Sequence, residues 1–253
     1  MKIDYYAYQS GMKHWNAGLK VFLALGTLCL TVGVDKLWVS LFVFLSMSGL
    51  TLFAGRLPGR VYFHFLLVPF TFAVFSTLVI ALQLSLLPVG EWQVRLGFFY
   101  LCSTRADVIT AGEVLCKAMA GVSALYMMSL STPVSEFVMV LGRLHLPRLL
   151  VELMNLIYRY IFILFDVAAQ LQTAAKARLG NRSLFISCKT FAGVAGNLFI
   201  LSLKKAGAYY DALLARGYNG RLEFLTDKSP IAKGQIAFII IYFIVLGAVS
   251  VLA

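Results

Sequence analysis

Charge is what this chain has least of. Only 13% of its 253 residues are Asp, Glu, Lys or Arg and just 11 are acidic, whereas 60% are hydrophobic and the mean hydropathy is +0.85. A globular domain typically runs about 45–50% apolar and about 25% charged, so a soluble fold is excluded and the class is integral membrane protein. Histidine is scarce, at three residues, and Cys29, Cys102, Cys116 and Cys188 lie far apart with no C-x-x-C pair and no His beside them. That spacing offers no zinc site; the cysteines read as free thiols packed as small hydrophobes. No Gly-x-x-x-x-Gly-Lys-Ser/Thr phosphate loop occurs, so the chain is not expected to hydrolyse ATP. Nor does a small-residue cleavage site follow a short apolar core, and the first hydrophobic segment is expected to be retained.

What is present is a set of long uncharged runs. Crossing about 30 Å of hydrocarbon takes about 20 apolar residues as a helix. Residues 21–34, extended through Gly18 and Leu19, then 37–55, 61–90, 118–135 and 235–253 give five spans. Asp35-Lys36 makes a tight turn between the first two, and Arg56-Leu-Pro-Gly-Arg60 marks a cytoplasmic turn between the second and third. From that anchor, residues 91–113 form an external connection of formal charge −1. Segment 131–234 holds 13 Lys and Arg against 6 Asp and Glu, placing its excess of +7 inside. The expected organisation is all-α and polytopic, N-terminus inside and C-terminus outside. Residues 1–130 carry four transmembrane helices, 131–234 a cytoplasmic or interfacial helical insert, and 235–253 the fifth.

The insert is amphipathic. Ser131-Thr132-Pro133 with Glu136 reads as a helix start, running to about Leu144. Pro147 opens a second helix in which Leu150, Leu153, Ile157, Ile161, Leu164, Ala168, Leu171 and Ala175 recur at three- and four-residue steps. Glu152, Arg159 and Asp166 interrupt this stripe and disfavour a transmembrane reading, although its first turns can lie against the membrane surface. A third helix carries Phe199, Leu203, Ala206, Tyr210 and Leu213 on one face and ends at Gly217.

The second and third helices finish alike: Ala174-Ala175-Lys176-Ala177-Arg178-Leu179-Gly180 and Leu213-Leu214-Ala215-Arg216-Gly217. A Gly within two residues of each Arg is the usual arrangement for a helix stopped by a left-handed residue. Each Arg complements the negative end of its helix dipole, worth about 0.3–1 kcal/mol. As a pair they suggest more, because Ala177 and Ala215 leave slim cationic tips whose guanidinium forks suit a carboxylate or carbonyl groove on another protein.

These motifs resemble those of the transmembrane T components of energy-coupling factor transporters, which carry Ala-Arg-Gly at the ends of two coupling helices. Ala215-Arg216-Gly217 matches fully, and Ala177-Arg178-Leu179 matches with Leu at the third place. Ser131-Thr-Pro133, Leu146-Pro147-Arg148 and Tyr158-Arg159-Tyr160 are similar to the family's approach to those helices. Arg159-Tyr-Ile-Phe-Ile-Leu164 and Ala215 through Leu222 are similar to its cobalt-import, CbiQ-type branch, with nickel relatives close by. The resemblance implies a multi-pass subunit of a prokaryotic plasma membrane. It would link two cytoplasmic nucleotide-binding ATPases to a membrane substrate-binding (S) subunit for cobalt or nickel. ATP would be held by the partner ATPases and no cofactor by this chain. Ala177, Arg178, Leu179, Ala215, Arg216 and Gly217 would be the ATPase-coupling residues.

Other readings stay open. The +7 of the insert could meet anionic lipid through Lys176, Lys189, Lys204 and Lys205 rather than a motor, and nucleic acid has no claim on a membrane-embedded chain. A lipid-phosphate transferase would need clustered acids or a His/Asp pair; Glu223 and Asp227 are the nearest approach, and Asp166 and Asp211 stand apart. A stand-alone carrier would need polar residues in the spans, and metal transit would need several ligands together. His64, three residues inside the third span, reads as an interfacial imidazole, and His14 and His145 are isolated.

Overall fold

The structure is a computed structural model and describes residues 2–34, 36–85, 92–96, 99–144, 146–220, 222 and 232–252. Nine α-helices account for most of these: α1 (Lys2–Gln9), α2 (Ala17–Gly33), α3 (Leu37–Gly49), α4 (Gly59–Ala81), α5 (Arg105–Ser131), α6 (Val134–Arg143), α7 (Arg148–Ala177), α8 (Leu184–Ala215) and α9 (Lys233–Leu252). The architecture is that of an all-α polytopic membrane protein, with one small antiparallel sheet between α4 and α5. Its strands β1 (Gln83–Ser85), β2 (Trp92–Leu96) and β3 (Phe99–Ser103) lie in the order β1-β3-β2, with Gln83 opposite Cys102 and Trp92 opposite Ser103.

The chain divides into two compact units, residues 1–140 with 228–253, and residues 141–227. In the first, α5 is the axis on which the others pack. Met119 and Leu130 of α5 pack with Tyr62 and Leu66 of α4 in one cluster; in a second, Ala120, Ala124 and Met127 of α5 pack with Leu23 and Ala24 of α2 and with Val39, Val43 and Met47 of α3. Ile239, Tyr242 and Leu246 of α9 close the cluster. Alanines on the axial helix let backbones approach closely, which matters in lipid, where helix association gains nothing from hydrophobic transfer. Two tyrosine hydroxyls add cross-helix hydrogen bonds, Tyr62 with Ser48 at 2.8 Å and Tyr242 with Ser46 at 2.9 Å.

The helix ends sort onto two rims. At one, Asn16 before α2 donates its N–H to the side chain of Gln235 at the start of α9, at 3.3 Å. Lys20 of α2 reaches the carbonyl of Ser131, the last residue of α5, at 2.8 Å, and Gly11 donates to the carbonyl of Gly55 after α3, at 3.1 Å. At the other, Lys36 at the α2–α3 turn donates to Ser250 near the end of α9, at 2.9 Å. Helices α2, α3, α4, α5 and α9 therefore alternate in direction, and the segment between α5 and α9 leaves and returns at the same rim.

Two span limits differ from expectation. The third span stops at Ala81 rather than reaching Gly90, because 23 helical residues already extend about 35 Å and the alternating Gln83-Leu-Ser85 goes into a strand. The fourth begins at Arg105, not Ala118. The carboxylate of Asp107 accepts the Thr104 N–H at 3.1 Å, so part of the expected external connection is helix, and Glu113 and Lys117 lie within it. Finally, α8 has the length and hydropathy of a span, as do α3 with its π-helical turn (Leu50–Ala54), α4, α5 and α9, whereas α2 is shorter at 17 residues.

Candidate functional site

The second unit is built on α7 and α8, which run antiparallel. Near the turn that joins them, Thr190 of α8 donates its hydroxyl to the carbonyl of Gly180 at 3.0 Å. Farther along, Tyr160 of α7 stacks on Tyr209 of α8, with ring centroids 4.9 Å apart and planes 26° from parallel. The later half of the α7 stripe, from Ile161 to Ala175, is half-buried along this seam, whereas Leu150, Leu153 and Ile157 stay exposed. No residue of α7 or α8 is fully buried within the described chain, and Phe165, Phe185, Phe191, Phe199 and Leu203 are all more than half exposed.

Both helices end in the same geometry. At the first, Arg178 is the C-cap (φ −91°, ψ 19°), the Leu179 N–H bonds to the Lys176 carbonyl at 3.0 Å, and the Gly180 N–H bonds to the Ala175 carbonyl at 2.9 Å. At the second, Arg216 is the C-cap (φ −92°, ψ 11°), with Gly217 bonded to Leu214 and Tyr218 to Leu213, each at 3.0 Å. This paired closure is the Schellman motif, and it satisfies carbonyls that the helix end would otherwise leave bare. Ala177, Arg178, Leu179, Ala215, Arg216 and Gly217 are all solvent-exposed. Among the described residues, neither guanidinium has a side-chain hydrogen bond or ion-pair partner.

The left-handed position at the second tip is Gly217, at φ +80°, as expected. At the first it is Leu179, at φ 59°, and not Gly180. Gly180 is a glycine for another reason: a Cβ there would lie 2.8 Å from Thr190 Oγ1 and 2.9 Å from both Thr190 Cγ2 and the Ala175 carbonyl oxygen. The backbone of the turn is thus pressed against α8. Sequence reasoning missed Thr190, and a spacing of ten residues across a turn gave no signal for it.

The tips are not brought together. Arg178 lies beside the start of α8 and Arg216 at its end, so 32 helical residues, about 48 Å, separate them. Of the lysines considered for lipid contact, Lys176, Lys189 and Lys204 are exposed; Lys205 lines a cavity of about 200 Å³ with Tyr160 and Tyr209. Among the described residues, no three His, Cys, Asp or Glu side chains stand close enough to hold a metal ion. His145, Glu223 and Asp227 lie outside the described residues.

A family model described as cobalt transport protein, CbiQ, matches residues 9–226. The chain belongs to the CbiQ family. Among individual relatives, it is 30% identical over 246 residues to an uncharacterised protein of Methanocaldococcus jannaschii, covering 96% of this chain and 90% of that one. It is 27% identical to the cobalt transport protein CbiQ of Salmonella typhimurium, over 86% of this chain and 97% of that protein. A putative fused cobalt transport protein, CbiMQ, of Methanocorpusculum labreanum is 28% identical over 86% of this chain, and the match spans 36% of that longer protein. The CbiQ match takes in α7, α8 and both arginine tips. The resemblance drawn from residues 159–164 and 215–222 and the family model agree on the branch.

Proposed function

We propose that this chain is the energy-coupling T subunit of an ATP-driven importer, with cobalt as the most favoured substrate and the same role in nickel or vitamin uptake as the alternative. It passes motion from two cytoplasmic ATPase subunits to a membrane-embedded substrate-capturing subunit and performs no chemistry itself. The observation that carries this reading is the pair of matched, exposed, arginine-capped helix ends at opposite ends of one hairpin. Two equivalent sockets about 48 Å of helix apart suit two copies of one motor better than a single ligand. The apolar faces that α7 and α8 leave bare supply the surface for the capture subunit or the headgroup region, and the fused CbiMQ relative supports a membrane partner. The rim from which the insert emerges is taken as cytoplasmic, following the positive charge of the insert.

The test reverses charge at both tips in the assembled transporter. Arg178→Glu with Arg216→Glu is expected to abolish ATP-dependent cobalt uptake and to loosen copurification of the ATPases, with membrane insertion unchanged. Reversal at Lys176, Lys189 and Lys204 is expected to leave most uptake intact. Equal loss from the lysine set would assign the positive charge of the insert to lipid. Reconstituted alone in liposomes the chain is expected to move no cobalt, and unaided flux would overturn the reading.

A further inference from the structure

At the rim where the insert begins, α5 stops at Ser131 and α6 starts at Val134, with Thr132-Pro133 between them. A continuous helix would give the Ser131 carbonyl the N–H of Ser135, but α6 starts afresh after Pro133, with the Glu136 and Phe137 amides turning back to the Pro133 carbonyl at 3.0 and 3.1 Å. The Ser131 carbonyl is thereby left without the backbone donor that a continuous helix would supply. Lys20 takes that place. Its side chain is fully buried, and its ammonium donates to the Ser131 carbonyl at 2.8 Å and to the Met12 carbonyl at 3.4 Å. It also stands 3.8 Å from the carboxylate of Glu136 in the first turn of α6. One cation therefore joins four pieces of chain: the 3-10 turn at Gly11–His14, α2, the end of α5 and the beginning of α6. A second tie, Tyr8 Oη to Ser135 Oγ at 3.3 Å, holds the same turn of α6, and Val138 is buried one turn on.

A buried ion of this kind is costly to assemble and costlier to leave half-made, so an apolar side chain of similar length would have been the cheaper way to fill the space. What lysine adds is direction, since two hydrogen bonds hold its ammonium to the bundle while its ion pair with Glu136 draws the first turn of α6 to the same point. The chain runs from that turn through Val140 into the α7–α8 unit. We propose that Lys20 is a positioning residue for energy coupling, a latch through which displacement of the insert is delivered to the membrane bundle instead of being lost at the Thr132-Pro133 break. This rests on the proposed T-subunit role and specifies where within it force crosses into the bundle.

The experiment uses the whole transporter, copurified with its ATPases and reconstituted in liposomes, and reads cobalt uptake and ATP hydrolysis on equal amounts of assembled complex. Lys20→Met removes the ammonium. Glu136→Gln, at a partly exposed side chain, removes only the ion pair and keeps the test open should Lys20→Met assemble poorly. Uptake per ATP hydrolysed is expected to fall about fivefold in Lys20→Met and less in Glu136→Gln, with hydrolysis retained. The double variant is expected to be no worse than Lys20→Met. Glu136→Asp should restore part of the ratio. Hydrogen exchange of the amides at 134–143 should quicken in Lys20→Met, a readout that needs no transport. Wild-type uptake per ATP in both single variants, losses that only track the amount of complex, or unchanged exchange would each overturn the latch. Absence of ATP-driven uptake in the wild-type complex would sink the T-subunit reading itself and the latch with it.

Discussion

Leu179 occupies a backbone conformation that a branched side chain adopts at a cost of about 1–2 kcal/mol, and it does so with 69% of its surface exposed. The closing hydrogen bonds offset part of that strain, but a glycine at the same place would make them too. Leu179→Gly is therefore expected to stabilise the α7–α8 turn by about 0.5–1 kcal/mol, less than the full strain because glycine loses more freedom on folding. A rise in the thermal midpoint of the purified chain would check it. If Leu179 also fills a hollow on the ATPase, the same variant will copurify less ATPase while being more stable itself, two readouts that move in opposite directions. At this scale the sequence was partly legible. Arg178 and Arg216 could be read as helix-terminal residues because a glycine follows each within two positions. The left-handed turn at Leu179 could not, since φ at a non-glycine residue has no compositional mark. Lys20 was equally hidden: its partners, Ser131 and Glu136, lie more than a hundred residues away in the chain.

The two tips share one closure but depend on different glycines, and substitution should separate them. Gly180→Ala places a methyl group within 3 Å of Thr190 and of the Ala175 carbonyl, so the turn has to open or α8 has to shift. Overpacking of this kind costs about 1–3 kcal/mol. Gly217→Ala meets no neighbour and costs only its left-handed backbone, about 1–2 kcal/mol, paid locally at the helix end. Protease nicking and hydrogen exchange are expected to spread along the α7–α8 seam in Gly180→Ala and to stay within the last turn of α8 in Gly217→Ala. Identical footprints would mean that the Thr190 contact does not pin the hairpin. Among elements, α6, α7 and α9 were readable to within a few residues because proline, capping and apolar periodicity mark them, whereas of α8 only the later half and the end were read, its start at Leu184 lying fifteen residues before Phe199. The start of α5 and the sheet after α4 were not. Thirteen residues at the head of α5 carry Asp107, Glu113 and Lys117, which a hydropathy count rejects but a helix longer than the membrane is thick can hold outside the hydrocarbon.

For the molecule as a whole, the question is how many times the chain crosses the bilayer, because α8 is as apolar and long as a span while lying in the insert. Parity decides it. The insert leaves the bundle at Ser131 and rejoins it at Gln235, and both are bonded to the α2 end of the same rim, Ser131 to Lys20 and Gln235 to Asn16. An excursion that begins and ends on one side crosses an even number of times, so α8 can cross only if another helix of the insert crosses with it. The remaining long helix is α7, whose Glu152, Arg159 and Asp166 fall one after another along thirty residues and would each be costly in hydrocarbon. On the proposed reading both helices stay on one side, where each arginine tip can meet a partner. Placed in a variant lacking the four native cysteines, Arg182→Cys, Asn219→Cys and Lys13→Cys are expected to react with a membrane-impermeant maleimide from the same side. Lys36→Cys should react from the opposite side. Labelling of Arg182→Cys and Asn219→Cys from opposite sides would mean that α8 spans the membrane, which would leave the two tips on different faces and unable to serve one pair of motors.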